Sequence, residues 1–307
     1  MFTRVVAGRA RVVREVRVAA PLMAALRVPA PSRGPWLSAV LGLGAARSVP
    51  TRLAHRPVAV VVEDHPAEPP AAVAFLSLHR RGPMSTVSLL GSDLPCLPGG
   101  LPPFRLLARD DAAAGVLAAG VLDLLARLRG AWTLRLTGLP MGDPVVRVLA
   151  DRLPRAVVAT SRSVRLVDEL DGCFPPVQRG TDPGWIDRRL PAVLSREPRP
   201  RARQALRVLA RVHAAAGELE LAVVAGPDAD PADGDRPAAA ALTLVDEAGR
   251  WPWWGSSDVG GLRTEMGAPL VGVTARGGWE LPQLPMVPLR PRRPVPPRRP
   301  GTAADTR

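Results

Sequence analysis

Between Pro57 and Val167 the spacing of apolar residues changes period several times, and neither an all-helical nor an all-β fold accommodates that succession. Val58–Val62 is a continuous apolar run rich in β-branched residues. The turn-forming stretch Asp64–Pro70 follows, then a second run at Val73–Leu78, so the pair reads as strand, loop, strand. Ser85–Leu90 supplies a third strand after the Gly82–Pro83 break, and Gly91–Pro103 is a Pro/Gly-rich loop. Phe104–Ala108 is short and extended. Asp110 or Asp111 then caps a helix that sets Leu117, Val121, Leu124, Leu125 and Leu128 on one face and stops at Gly130. Trp132, Leu134 and Leu136 alternate with Thr133, Arg135 and Thr137, the two-residue period of a half-buried strand. Asp143 and Pro144 open another helix to about Asp151. Arg155–Ala159 and Val164–Val167 read as two short strands around Thr160–Ser163.

A second half begins beyond Pro175, Pro176 and Pro183. Trp185–Leu194 reads as a helix interrupted by Pro191. Arg201–Ala216 reads as a longer one, with Leu206, Leu209, Ala210 and His213 inward and Arg203, Arg207 and Arg211 outward. Glu218–Val224 and Ala239–Val245 are strands, and Leu270–Thr274 is one more. From Leu281 the chain is dominated by Pro and Arg and reads as a disordered tail. The fold class expected is therefore α/β (α+β): two mixed-sheet lobes with helices packed on the sheets, over residues 58–171 and 172–280, the second truncated. A basic, Pro-interrupted and partly disordered leader spans 1–57, and a disordered tail spans 281–307.

The formal charge of +13 is confined to the ends. Residues 1–57 hold ten Arg and one acid, residues 290–307 six Arg and one acid, and the stretch between nets −1. All 41 basic residues are Arg, a composition that a GC-rich coding bias explains without selection for Arg chemistry. Arg4, Arg9, Arg11, Arg14 and Arg17, interleaved with valines, resemble a basic amphipathic targeting or surface-binding segment. The competing reading is an unstructured leader, with Pro21, Pro29, Pro31 and Pro35 breaking any helix. Cys96 and Cys173 belong to no CxxC pair, which fits a reducing compartment and a cytoplasmic location.

No Walker loop, strand-borne GxGxxG, HExxH or GxSxG is present. His55, His65, His79 and His213 lack ligand spacing, so no metal is expected. The acidic loop Asp228–Asp235 has no glutamate to close a calcium site and reads as solvated. The stripe Arg203, Arg207, Arg211 suits either an anion or an ordinary charged helix face. The segment from Arg250 to Gly267 is the most unusual. It joins three tryptophans to a Gly-rich stretch bearing Asp258, Arg263 and Glu265, as a ligand pocket does, or a tryptophan-anchored packing turn.

The order strand, strand, strand, helix, strand, helix, strand, strand over 58–167, with Trp132–Pro140 at its centre, resembles the later part of the GNAT acyltransferase fold. The whole chain resembles the two-lobed CelD and FemAB type. The resemblance implies transfer of an acyl group from an acyl-CoA donor to a small-molecule amine. Its cofactor contacts would fall to Trp253, Trp254, Gly260, Gly261 and Arg263. Glu265 or Asp258 would be the base that frees the attacking amine. In that family the pyrophosphate meets backbone amides of a Gly-rich turn at a helix N-terminus. The corresponding junction here, Arg105–Ala112, has no glycine and two adjacent acids. The alternative is a non-catalytic binding or scaffold protein whose Arg/Pro tails contact an acidic partner, nucleic acid or a membrane surface.

Overall fold

The computed structural model describes residues 1–45, 55–65, 68–94, 103–153, 155–226, 236–246 and 249–278. The Arg/Pro tail, the acidic loop at 228–235 and Cys96 lie outside them.

The first sheet has the order β1-β2-β3-β4-β6-β12-β7, with β5 added beside β3. Its strands are β1 (Phe2–Ala7), β2 (His55–Glu63), β3 (Ala72–Arg81), β4 (Met84–Leu89), β5 (Leu107–Ala108), β6 (Trp132–Pro140), β7 (Val157–Asp168) and β12 (Leu262–Gly277). All pairs are antiparallel except β4 with β6, which run parallel from Ser85 opposite Trp132 to Ser88 opposite Arg135. The second sheet holds β8 (Gln178–Gly180), β9 (Leu219–Val224), β10 (Ala239–Asp246) and β11 (Gly249–Ser257) in the order β11-β10-β9-β8.

Helices α1 (Arg9–Val18), α2 (Ala20–Ala25) and α3 (Gly34–Ala45) precede β2. Helices α4 (Asp111–Ala126) and α5 (Pro144–Arg152) flank β6, and α6 (Pro183–Leu194) and α7 (Pro200–Ala215) precede β9. The fold is thus mixed α/β, a large mixed sheet with helices packed on it plus a second sheet.

The unbroken run in β2 has a plain cause: both faces of the strand are buried. Val58, Val60 and Val62 enter the core beneath α4 and α5, while Ala59 and Val61 enter the one that carries α1, α3, α6, α7 and the second sheet. Trp36 of α3 sits in that second core, fully buried, with its ring 5.6 Å from Trp253 and 5.7 Å from His213.

Residues 1–45, expected in a partly disordered leader, are therefore structural: β1 pairs with β2, and Val12, Val16, Trp36 and Leu37 are core. Their prolines do not break helices. Pro21 stands in the first turn of α2 and Pro31 in the 3₁₀ turn Ala30–Ser32, places where a missing N–H costs nothing. Arg4 turns inward and holds Glu15 and Glu63 at 2.7 and 2.6 Å.

Three further differences follow. The two short strands around Thr160–Ser163 are one 12-residue strand, β7. The division expected at 171/172 also separates strands that share a sheet, because β12 returns to lie between β6 and β7. Helix α6 runs through Pro191, since Ile186, Leu190, Val193 and Leu194 bury one face and outweigh a single lost hydrogen bond.

Candidate functional site

The segment Arg250–Gly267 is a strand, a tight turn and the start of another strand rather than a loop around a pocket. Trp253 and Trp254 are both core, and the Trp254 indole N–H donates to Glu197 Oε2 at 3.2 Å. Gly260 and Gly261 form the turn, both with positive φ, and a Cβ on Gly261 would lie 2.6 Å from Cys173 Sγ. The ionisable members stay outside. Arg263 binds Glu169 at 2.9 Å and Glu265 at 3.3 Å, and Asp258 lies 2.7 Å from the buried Arg196 guanidinium. That guanidinium holds the Asp258 carboxyl below the ordinary carboxylate range, the opposite of what a base working near neutral pH requires. The structure therefore places the tryptophans in the core and Asp258, Arg263 and Glu265 on an ion-paired surface.

The two places where the resemblance would put an acyl-CoA donor are also filled. At the N-terminus of α4, Asp110 Oδ1 accepts the Ala113 amide at 2.7 Å, and that bond together with Arg109 holds the Asp110 carboxyl below its usual range. Asp111 adds a second carboxylate in the first turn. A pyrophosphate here would displace one anion and face another. Beside it, β6 runs on to Pro140 after its pairing with β4 ends at Arg135. The chain's own segment lies against that stretch: the Phe104 amide donates to Gly138 O at 2.8 Å, and Phe104 and Leu106 are buried. The segment is tied from behind, Arg105 N to Ser32 Oγ at 2.8 Å and Arg105 Nη1 to Leu26 O at 2.9 Å. In the second sheet, β11 passes through 258–261 straight into β12, so no helix follows it to receive a phosphate. The residues present do not fit the donor in either half.

A charged surface lies elsewhere, on α1. Val12, Glu15 and Val16 face the core. At 100° per residue, Arg11, Arg14 and Arg17 occupy the opposite half of the helix, while Arg9, in the first turn, lies about 60° from Val12 on the core side. All four are exposed and make no hydrogen bond or ion pair among the described residues. On α7 two of the three outward arginines are committed, Arg203 to the Glu197 carbonyl and Arg211 to Asp187 at 2.7 Å, and Arg207 alone of the stripe makes no bond among the described residues. The valine interleaving in residues 4–17 was the sequence signal for α1; what it lacked was the inward turn of Arg4.

No protein-family model and no curated protein matches the chain. Among solved structures it is similar to the tandem GNAT protein from the clavulanic acid biosynthesis pathway, determined without AcCoA. The TM-score is 0.36 and the identity 14%, over 91% of this chain and 100% of that one. No helix among the described residues is long and apolar enough to cross a membrane.

Proposed function

We propose that the chain is a degenerate, non-transferring relative of the GNAT-like acyltransferases that binds nucleic acid through the arginine face of α1. The observation that carries the reading is the set Arg11, Arg14 and Arg17, three unpaired guanidinium groups on the outer face of one helix, with Arg9 exposed at its first turn. Guanidinium groups match phosphate oxygens bidentately, and here the cost of ordering the backbone beneath them is met by folding. A membrane surface suits the helix less well, because its apolar face is consumed by the core and has nothing to insert. The filled donor position, with Phe104 against β6 and Asp110 on the α4 amides, supports binding without transfer.

Removing residues 1–57 would strip β1 and Trp36 from the core, so the test uses charge substitutions in the full chain. Fluorescence anisotropy with a labelled duplex oligonucleotide across a salt series should give a log–log slope of about −2.7 if the three outward arginines meet phosphates. Arg11→Gln and Arg14→Gln should each reduce its magnitude by about 0.9. Unchanged binding by the triple Gln variant, or binding to anionic vesicles but not to the duplex, overturns the reading. Turnover of an acyl-CoA with any amine overturns its non-transferring part.

A further inference from the structure

A cleft of about 590 Å³ opens between α2, the start of α3 and the ends of β9 and β10, on residues that the arginine face does not use. Its volume lies within the range of small-molecule sites. Met23, Ala24 and Val245 give it an apolar wall, and Arg27, Arg33, Glu218 and Asp246 give it charge.

Those four charges are not equivalent. Arg33 is spent, with Nη2 2.8 Å from Asp246 and Nε donating to the Val28 carbonyl at 2.6 Å. Arg27 is exposed and makes no side-chain bond among the described residues. It sits at φ 45°, a left-handed conformation that a non-glycine residue adopts at a cost. Its amide donates to Ala24 O at 3.0 Å, which fixes the turn that brings it to the cleft. Glu218 is held from behind: Oε2 lies 2.9 Å from Nδ1 of His213, whose ring is fully buried against Trp36. The second Glu218 oxygen has no partner among the described residues, and the side chain is 25% exposed. The cleft therefore offers one unpaired cation and one preorganised carboxylate oxygen beside an apolar wall.

We propose that this cleft binds a small zwitterion with an apolar body, of the amino-acid or short-peptide kind, its carboxylate meeting Arg27 and its ammonium meeting Glu218. Each contact is a charge-assisted hydrogen bond. Leaving either protein group without its counterpart forfeits the selectivity between a free and a capped terminus.

Calorimetry on the full chain with leucyl-leucine, its N-acetylated form and its C-terminal amide tests the assignment. The free dipeptide should bind at least about tenfold more tightly than either capped form, the loss of one charged hydrogen bond. Arg27→Gly keeps the left-handed backbone without steric cost, so the melting temperature should not fall. That variant should bind the free dipeptide and the amide equally. Glu218→Gln, which retains an acceptor for His213, should bind the free and N-acetylated forms equally. Absence of heat at millimolar dipeptide, equal binding of all three by the unmodified chain, or unchanged selectivity in both variants overturns the proposal. Oligonucleotide binding by either variant should match the unmodified chain, so the two readings fail separately.

Discussion

The Phe104 amide donates to the Gly138 carbonyl at 2.8 Å, and the bond holds an otherwise irregular segment against β6. Phe104 is 7% exposed and packs in the core beneath α4 and α5. Phe104→Ala should cost about 3–5 kcal/mol, by lost burial and the cavity left behind. Urea unfolding followed by circular dichroism measures it. The variant should gain no affinity for acyl-CoA, because Asp110 still occupies the α4 amides.

Gly261 separates a structural glycine from a ligand-cradling one. It has φ +73°, and an added Cβ would meet both Cys173 Sγ and the Leu170 side chain. Gly261→Ala should destabilise the chain by about 1–3 kcal/mol through backbone strain and overpacking. Gly260→Ala, with φ +82° and open space at the Cβ position, should cost less, about 1 kcal/mol from strain alone. Thermal melts of the two variants give the order directly.

Local periodicity carried the interior strands and the capped helices. Of the two candidate caps Asp110 and Asp111 it is Asp110 that caps α4, Asp143 caps α5 as its spacing indicated, and Leu206, Leu209, Ala210 and His213 are on the buried face of α7. What local pattern does not hold is partner identity. Met266 pairs with Val164, and Val6 with Ala59, across about a hundred and about fifty residues; nothing in either strand names the other. Phe2–Ala7 names no partner strand in the sequence, so there α1 to α3 have no sheet to lie on and read as a leader. The Trp253 and Trp254 pair misled in another way, since residues suited to a pocket wall are equally suited to a core. The zwitterion cleft draws on α2, α3, the α7–β9 turn and β10, four segments that only the fold brings together.

Asp143 caps α5 by accepting the Val145 and Val146 amides at 3.0 and 3.1 Å, yet burial raises its carboxyl above the usual range. A raised folded pKa means that the native state favours the protonated form more than the unfolded chain does. The associated stability is complete below the ordinary value near 4 and is lost as pH rises through the folded one. Asp143→Asn keeps the cap without the buried charge, so at neutral pH it should melt at or above the temperature of the unmodified chain. Asp143→Ala loses the cap and should cost about 1 kcal/mol.

Asp258 has the opposite sign. The Arg196 side chain is 1% exposed and spends its donors on Ser256 Oγ, the Pro237 carbonyl and Asp258. Because Arg196 holds the Asp258 carboxyl below its ordinary range, the stability from this pair is complete above that range. It is lost as pH falls through the lowered value. Asp258→Asn should therefore melt below the unmodified chain at pH 7. The gap should close as pH falls below about 4 and the unmodified carboxyl is itself neutralised. Arg196→Met leaves the Pro237 carbonyl without its donor inside the fold, and should cost more than Asp258→Asn at every pH, about 2–4 kcal/mol. Were Asp258 instead the base of an acyl transfer, its loss would abolish turnover and leave the melting temperature nearly unchanged. Thermal melts of both variants from pH 7 to pH 2, beside an acyl-CoA turnover assay, separate an ion-pair anchor from a catalytic group.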